Sequence, residues 1–321
     1  MTLEQVLRAR FRLSGHIHRT PLQLCRSLSE MTGCNLYTKL ENLQKTGAFK
    51  IRGAFNKVAD LMQQGPVRGI VTASAGNHAQ GVAFAARHFG IPATVVMHES
   101  ASSAKVRATE SYGSRVLLHG CNYDEAYEEA RRLAAADGLR FVHAFDDAAV
   151  ISGQGTIGLE LLEDLPEVDT VVVPVGGGGL ISGIATALKS LKPSVRIIGV
   201  QPEGASSGVS SWRSGSRVSI EKPGSIADGL AVKTPGELPL ACMLELVDDM
   251  VTVSEEQILS AMAVLLERTK MLAEGAGAAA LAAVLNEKAV CGTNTAVIVS
   301  GGNIDLMKLP LLSQTMAAIS L

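Results

Sequence analysis

The sequence predicts an α/β fold made of two doubly wound lobes, each built around a mainly parallel sheet. Short runs rich in Val and Ile, such as TVVVPV at 170–175 and TAVIVS at 295–300, alternate along the chain with helix-like segments. Continuous apolar strands of this kind are typical of parallel sheets that helices cover on both faces. A length of 321 residues suits two such lobes.

Two groups of strands are expected in chain order. The first group lies near 36–40, 70–72, 93–97, 115–118 and 140–143, and the second lies near 171–175, 196–200, 251–253 and 296–300. Helix-like segments, among them 104–112, 122–137 and 180–191, separate these strands. Because no low-complexity linker divides the chain, we expect the lobes to exchange chain, with 1–52 and 146–321 in a large domain and 53–145 in a small one.

Composition excludes several classes of function. A net charge of -2 and only 4% aromatic residues argue against a nucleic-acid partner. No apolar run of about 20 residues predicts a membrane span, and MTLEQVLRARFRLSGH reads as a charged amphipathic helix rather than a signal peptide. The five cysteines have no C-x-x-C spacing, so we expect no zinc site or disulfide framework and a cytoplasmic protein.

The segment KLENLQKTGAFKIRGA contains a lysine in an unusual setting. Lys50 lies between Phe49 and Ile51, and Gly47 and Gly53 allow another part of the backbone to come close. A single lysine is most often solvated on a helix face. A desolvated lysine, in contrast, has a lowered pKa and becomes a nucleophile and a base.

The segment VTASAGNHAQG predicts a strand, a short loop and the start of a helix. Ser74, Gly76, Asn77 and His78 would place side-chain donors and unpaired N–H groups at the helix N-terminus, which suits a carboxylate. Simple helix capping by Ser74 or Asn77 is the alternative interpretation.

Four consecutive glycines follow the strand TVVVPV and precede a helix. A loop of backbone N–H groups that binds a phosphate explains this run, which comprises Gly176, Gly177, Gly178 and Gly179. A dinucleotide-binding fold is the alternative, with Glu203 after the next strand as its ribose-binding acid. However, G-x-G-x-x-G/A places Ser182 or Ile181 at its third position.

The segment VSGGNID places Ser300 at the end of the last strand, followed by two glycines. Its hydroxyl could bond a ring nitrogen of a ligand. A serine that caps a turn is the alternative, and without other evidence the better one.

Together these segments resemble the threonine dehydratase family of fold-type II pyridoxal-5′-phosphate (PLP) enzymes, which includes serine dehydratases and serine racemase. The motifs KTGAFKIRGA, SAGNHAQG, PVGGGGLISG, SIADGLAV, EGAGAAALAAV and VSGGNID occur in the family's order between about Arg19 and Asp305. The resemblance implies a fold like that of the tryptophan synthase β subunit, with PLP in the cleft between the lobes and held by the large domain.

The resemblance also implies roles for individual residues. Lys50 would be the Schiff-base lysine and the base for the α-proton, with Ser74 as a second catalytic residue. Phe49 would pack on the cofactor ring, Asn77 would bond its hydroxyl and Ser300 its nitrogen. The phosphate would lie on Gly176, Gly177, Gly178 and Gly179. The substrate would contact Ser74, Gly76, Asn77, His78, Asp228, Gly229 and Glu274.

The function implied is dehydration and deamination of a β-hydroxy-α-amino acid, foremost L-threonine or L-serine, to a 2-oxo acid and ammonia. A bulkier substrate, such as a phenylserine or an intermediate of hydroxyectoine breakdown, would use the same chemistry. Racemization is disfavoured because Ala75 stands where racemases carry a second serine. No metal site is expected, because Gln201 and Ser207 stand where some relatives carry acids.

β-Replacement, a non-catalytic PLP carrier and a dinucleotide-dependent oxidoreductase are the remaining alternatives. Family resemblance further implies a homodimer or homotetramer. Because the chain ends soon after VSGGNID, we expect no C-terminal regulatory domain.

Overall fold

The computed structural model describes residues 1–305. Its larger sheet has the strand order β1-β2-β10-β7-β8-β9 and is parallel except for the antiparallel edge strand β1. The strands are β1 (Leu22–Leu24), β2 (Asn35–Leu40), β7 (Thr170–Pro174), β8 (Arg196–Pro202), β9 (Asp249–Val253) and β10 (Asn294–Val299).

A smaller sheet has the order β5-β4-β3-β6, and all of its strands are parallel. Its strands are β3 (Ile70–Ala73), β4 (Ala93–Met97), β5 (Arg115–Leu118) and β6 (Arg140–Phe141). The predicted α/β fold with two parallel sheets is confirmed. The last predicted strand of this sheet is shorter than expected, since 142–143 lie outside it.

Helices cover both sheets, and no helix within residues 1–305 is long and apolar enough to cross a membrane. They are α1 (Leu3–Leu13), α2 (Arg26–Thr32), α3 (Lys50–Gln64), α4 (Asn77–Phe89), α5 (Ser103–Glu110), α6 (Tyr123–Asp137), α7 (Ala148–Asp164), α8 (Gly179–Leu191), α9 (Ser207–Ser214), α10 (Glu237–Leu246), α11 (Glu255–Val264) and α12 (Gly275–Leu285). Short helical turns occupy Glu41–Leu43, Glu203–Ala205, Asp228–Leu230 and Leu265–Thr269.

The core lies on both faces of the larger sheet, as the continuous apolar strands predict. Val172 packs on one face with α11 and α12, while its neighbours Val171 and Val173 pack on the other face with α7 and α8. Successive side chains of a strand point to opposite faces, so a strand that is apolar throughout is stable only when both faces are covered.

One grouping of strands was wrong. The strand near 36–40 was expected with the first group, yet β2 pairs with β10 in the larger sheet, where Asn35 lies opposite Asn294. This pairing joins segments far apart in sequence, and no local pattern encodes it. The domain limits at 52/53 and 145/146 stay a prediction; position 52/53 lies inside α3, and 306–321 lie outside the described residues.

A buried ion-pair network holds the first turn of α3 against the larger sheet. Arg52 is fully buried and donates to Glu41, also fully buried, and to Glu160 of α7. Lys39 of β2 donates to the same Glu160 over 2.6 Å. Removing one partner of a buried pair leaves an uncompensated charge, so this network strongly constrains where α3 begins.

Candidate active site

The predicted site residues lie beyond the carboxyl ends of strands from both sheets. The glycine run follows β7, Ser300 follows β10, and the loop that begins at Ser74 follows β3. Parallel strands bring their carboxyl ends to one edge of a sheet, which is where open α/β folds bind ligands. Two such edges facing each other create the site.

Lys50 is the first residue of α3, and its amine is desolvated. Its Nζ donates to the carbonyl oxygen of Ala144 over 2.9 Å and lies 5.3 Å from the centre of the Phe49 ring. Burial lowers the pKa of Lys50 to about 8, although the negative charge of Glu274 acts in the opposite direction. A lysine with this pKa has a substantial neutral fraction near physiological pH, as a nucleophilic amine requires.

The loop between β3 and α4 presents the N-terminus of a helix. Gly76 caps α4, and its N–H donates to Ser74 Oγ over 3.2 Å. The ring of His78 points away, since its Nε2 lies 3.1 Å from Val142 O. Burial lowers the pKa of His78 to about 3, so the ring is neutral and Nε2–H donates to that carbonyl. His78 therefore offers its backbone N–H, rather than its ring, to a ligand.

Asn77 and Glu274 connect the two lobes. Asn77 begins α4, and its Nδ2 donates to Glu274 Oε1 over 2.6 Å. Glu274 caps α12 and is 7% exposed, and its backbone N–H donates to Gly301 O. The carboxylate thus lies beside Lys50 and next to the loop after β10.

The glycine run forms a tight loop between β7 and α8, as predicted. Gly178 adopts φ +93°, a conformation that favours glycine. Within residues 1–305, no acceptor meets the backbone N–H of Gly177, Gly178 or Gly179. These donors at the N-terminus of a 13-residue helix suit an anion. Gln201 supports the loop by donating to Gly176 O over 3.4 Å.

Ser300 is almost fully buried, and its hydroxyl donates to Ala276 O over 3.1 Å. With its proton placed there, the oxygen keeps lone pairs that can accept a hydrogen bond. Phe49 N–H donates to Ser300 O. The lysine segment and the serine segment are therefore held together.

Asp228 and Gly229 lie in the turn 228–230, in two different settings. Gly229 lies between the glycine run and α12, because its carbonyl oxygen would be 3.0 Å from a Cβ at Gly176. Asp228 is half-exposed and pairs with Lys105 of α5 over 2.7 Å. Both charged residues line a cavity of about 350 Å³ together with Ala75, Glu274 and Asn303.

Sequence reasoning missed four residues of this site. Asn303 lies inside the VSGGNID motif, so the motif itself was a signal for it. Ala144 bonds Lys50 through its backbone, and the Phe145 ring covers Gly177; nothing local marks either residue. Lys105 resembles any lysine on an exposed helix until the structure places it opposite Asp228.

These residues fit pyridoxal phosphate. A desolvated amine can hold an aldehyde carbon, and an aromatic ring lies beside that amine. Unpaired N–H groups at a helix N-terminus suit the phosphate, and the Asn77 amide and Ser300 hydroxyl are polar groups suited to a substituted pyridine ring.

Comparison with known proteins agrees with this fit. The family model described as pyridoxal-phosphate dependent enzyme matches residues 13–302. The L-threonine ammonia-lyase of Thermotoga maritima is 53% identical over 306 residues, covering 95% of this chain and 76% of that protein. The catabolic L-threonine dehydratase TdcB of Escherichia coli K12 is 44% identical over 311 residues, covering 96% of this chain and 94% of that protein.

Solved structures agree as well. Maize serine racemase has a TM-score of 0.93 and 37% identity, covering 99% of this chain and 98% of that one. A bacterial-type threonine deaminase, from the organism abbreviated T.th., has a TM-score of 0.91 and 41% identity, covering 95% of this chain and 99% of that one.

Proposed function

The chain belongs to the pyridoxal-phosphate-dependent enzyme family, and we propose that it removes water and ammonia from L-threonine or L-serine to give a 2-oxo acid. The observation that carries this proposal is the desolvated amine of Lys50, whose pKa is about 8, beside the Glu274 carboxylate. Two relatives with the names L-threonine ammonia-lyase and L-threonine dehydratase support the reaction class.

Lys50 is proposed to hold the cofactor and, once released by the substrate, to take the α-proton. When bound, the cofactor supplies an electron sink that stabilises negative charge at the α-carbon. The N–H groups at the start of α4 and the Ser74 hydroxyl bind the substrate carboxylate. Ser74 Oγ already accepts the Gly76 N–H, so its own proton is available to that carboxylate. The N–H groups of the glycine run hold the phosphate.

The cavity favours a small side chain. Its volume of about 350 Å³ is at the low end of the range for small-molecule sites, about 300–1,000 Å³. Ile226, Leu259 and Met262 form an apolar wall that suits the methyl group of threonine. An aryl-substituted substrate such as a phenylserine is the second candidate and would need a larger space.

Racemization is less well supported, although racemases are among the similar structures. Ala75 lines the cavity and has no proton to exchange with the face of the substrate opposite Lys50. β-Replacement, a non-catalytic carrier and a dinucleotide-dependent oxidoreductase have no observation that favours them.

The test combines absorption spectroscopy with product measurement. Purified protein with PLP is mixed separately with L-threonine, L-serine and phenylserine, and release of 2-oxo acid is followed. Lys50→Ala should lose the visible band of the lysine-bound cofactor and all turnover, whereas Lys45→Ala, at an exposed lysine five residues earlier, should keep both. Ordinary turnover by Lys50→Ala would refute the proposal.

We also propose that the enzyme is cytoplasmic and forms a homodimer or homotetramer. Its five cysteines are all free thiols within the described structure, which suits a reducing compartment. Sedimentation velocity measures the assembly directly, and a monomer at micromolar concentration would contradict it.

A further inference from the structure

The side chain of Asn303 has a fixed orientation. Its Nδ2 donates to the backbone carbonyl oxygen of Thr46 and to Oδ1 of Asn77, each over 2.8 Å. A backbone carbonyl can only accept a hydrogen bond, so the amide group of Asn303 must present its NH₂ end to Thr46. Both of its protons are then used, and the orientation does not depend on a choice between oxygen and nitrogen.

Asn303 thereby determines the orientation of Asn77. Because an NH₂ group faces Asn77, the end of Asn77 that meets it must be the oxygen, and Asn77 Nδ2 must face the opposite way. There it meets Glu274 Oε1 over 2.6 Å. The reversed amide would place Asn77 Oδ1 against the carboxylate, and two acceptors would then face each other.

The two segments can meet only because Gly47 lacks a side chain. Gly47 adopts φ +70°, and a Cβ there would lie 2.3 Å from Asn303 Oδ1. Backbone bonds join the same segments, from Gly302 N to Gly47 O over 2.9 Å and from Phe49 N to Ser300 O over 3.0 Å. Asn303 lies at the far end of this contact, whose other end carries Lys50.

We propose that Asn303 is a positioning residue that keeps the NH₂ group of Asn77 directed to the hydroxyl oxygen of bound PLP. This inference rests on the proposed function, in which Asn77 bonds that oxygen. Within residues 1–305, Asn77 Nδ2 donates to Glu274 alone, so one proton remains for a further acceptor. An N–H donor stabilises the ionised form of a ring hydroxyl, and this form gives the lysine-bound cofactor its visible absorption.

Asn303→Asp is the sharpest variant. It preserves the shape but replaces the donor by an acceptor, so Asn77 must turn its NH₂ towards residue 303 and its oxygen towards Glu274 and the cofactor. The visible band of bound PLP should shift to shorter wavelength, and its Kd should rise about ten-fold. Asn303→Leu leaves Asn77 without a fixed orientation and should give a smaller change in the same direction.

Asn42 provides a matched control. It is also half-buried next to Gly302 and donates to a backbone carbonyl, Leu272 O, over 3.1 Å, yet it has no bond to Asn77. Asn42→Asp and Asn42→Leu should leave the cofactor spectrum as it is in the parent protein. A spectral change in these variants equal to that at Asn303 would show a general effect of the loop and overturn the proposal.

Asn77→Ala tests whether Asn303 acts through Asn77. In that background the amide is gone, so adding Asn303→Asp should change neither the spectrum nor the Kd of PLP any further. A full further shift would overturn the proposal, as would an unchanged spectrum in Asn303→Asp alone. If the parent protein gave no PLP band, the proposed function itself would fail, and this inference with it. A parent band without any response at Asn303 refutes only the inference.

Discussion

The backbone N–H of Phe49 donates to the carbonyl oxygen of Ser300 over 3.0 Å. Phe49 precedes Lys50, and Ser300 follows β10, so this bond ties the nucleophilic amine to the hydroxyl on the far side of the site. Because β2 and β10 are neighbours in the larger sheet, both residues are held by one rigid element. Sites built on such elements keep their geometry better than sites carried by loops alone.

The lowered pKa of Lys50 predicts how the cofactor-free protein takes up PLP. Only the neutral amine attacks an aldehyde, so the rate of uptake should rise with pH through a midpoint of about 8 and level off above it. Glu274 raises this pKa, so Glu274→Gln should move the midpoint to lower pH. Stopped-flow absorbance at a series of pH values measures both. A midpoint that stayed put in Glu274→Gln, as expected for Glu256→Gln at the protein surface, would contradict the coupling.

The glycine loop should not tolerate a side chain at Gly177. A Cβ there would lie 2.4 Å from the Phe145 ring, so either the ring or the loop must move. We expect Gly177→Ala to weaken PLP binding at least about ten-fold and to cost roughly 1–3 kcal/mol in unfolding free energy. Fluorescence titration and urea unfolding measure these changes. The control is Gly224→Ala, where no atom lies within 4 Å of the new Cβ; equal effects at both positions would refute the explanation.

The ion pair between Lys105 and Asp228 should affect substrate binding more than stability. Its side chains are 31% and 51% exposed, so breaking the pair should cost only about 0–1 kcal/mol of stability. Because both residues line the cavity, Lys105→Met should raise KM about five-fold, the equivalent of about 1 kcal/mol, with kcat nearly unchanged.

Lys233→Met is the matched control for that prediction. It breaks another exposed pair, from Lys233 to Asp124 over 3.0 Å, whose residues do not line the cavity. Steady-state kinetics at low ionic strength compare the two variants. A rise in KM of the same size in both would mean that the pair at the cavity has no particular effect on the substrate.

His78 predicts a loss of stability in acid. Its pKa is about 3 in the folded protein against 6.5 for the free side chain, so the unfolded chain binds the extra proton first. The contribution is present above pH 6.5 and is lost as pH falls from 6.5 towards 3. Between pH 7 and pH 5 the parent protein should lose about 2 kcal/mol more than His78→Gln, whose amide can still donate to Val142 O. Urea unfolding of the cofactor-free proteins measures the difference, and parallel losses would show that His78 is not the group responsible.

Much of the site was readable from the sequence because its parts are local. A strand that ends in four glycines, or in a serine and two glycines, determines its own backbone path and the donors that it exposes. The lysine at position 50 was recognisable from its neighbours and from the order of the motifs. These features depend on residues within a few positions of one another, and the structure retains them as predicted elements.

The sequence by itself thus determined the fold class, the cofactor family and the segments that contain the site. Only the tertiary structure decided that β2 joins the larger sheet, that the His78 ring turns to Val142 and that Lys105 meets Asp228. The physical reason is that strand pairing and side-chain direction depend on contacts between residues far apart in the chain. Local propensity and periodicity carry no information about such contacts until the sheets have assembled.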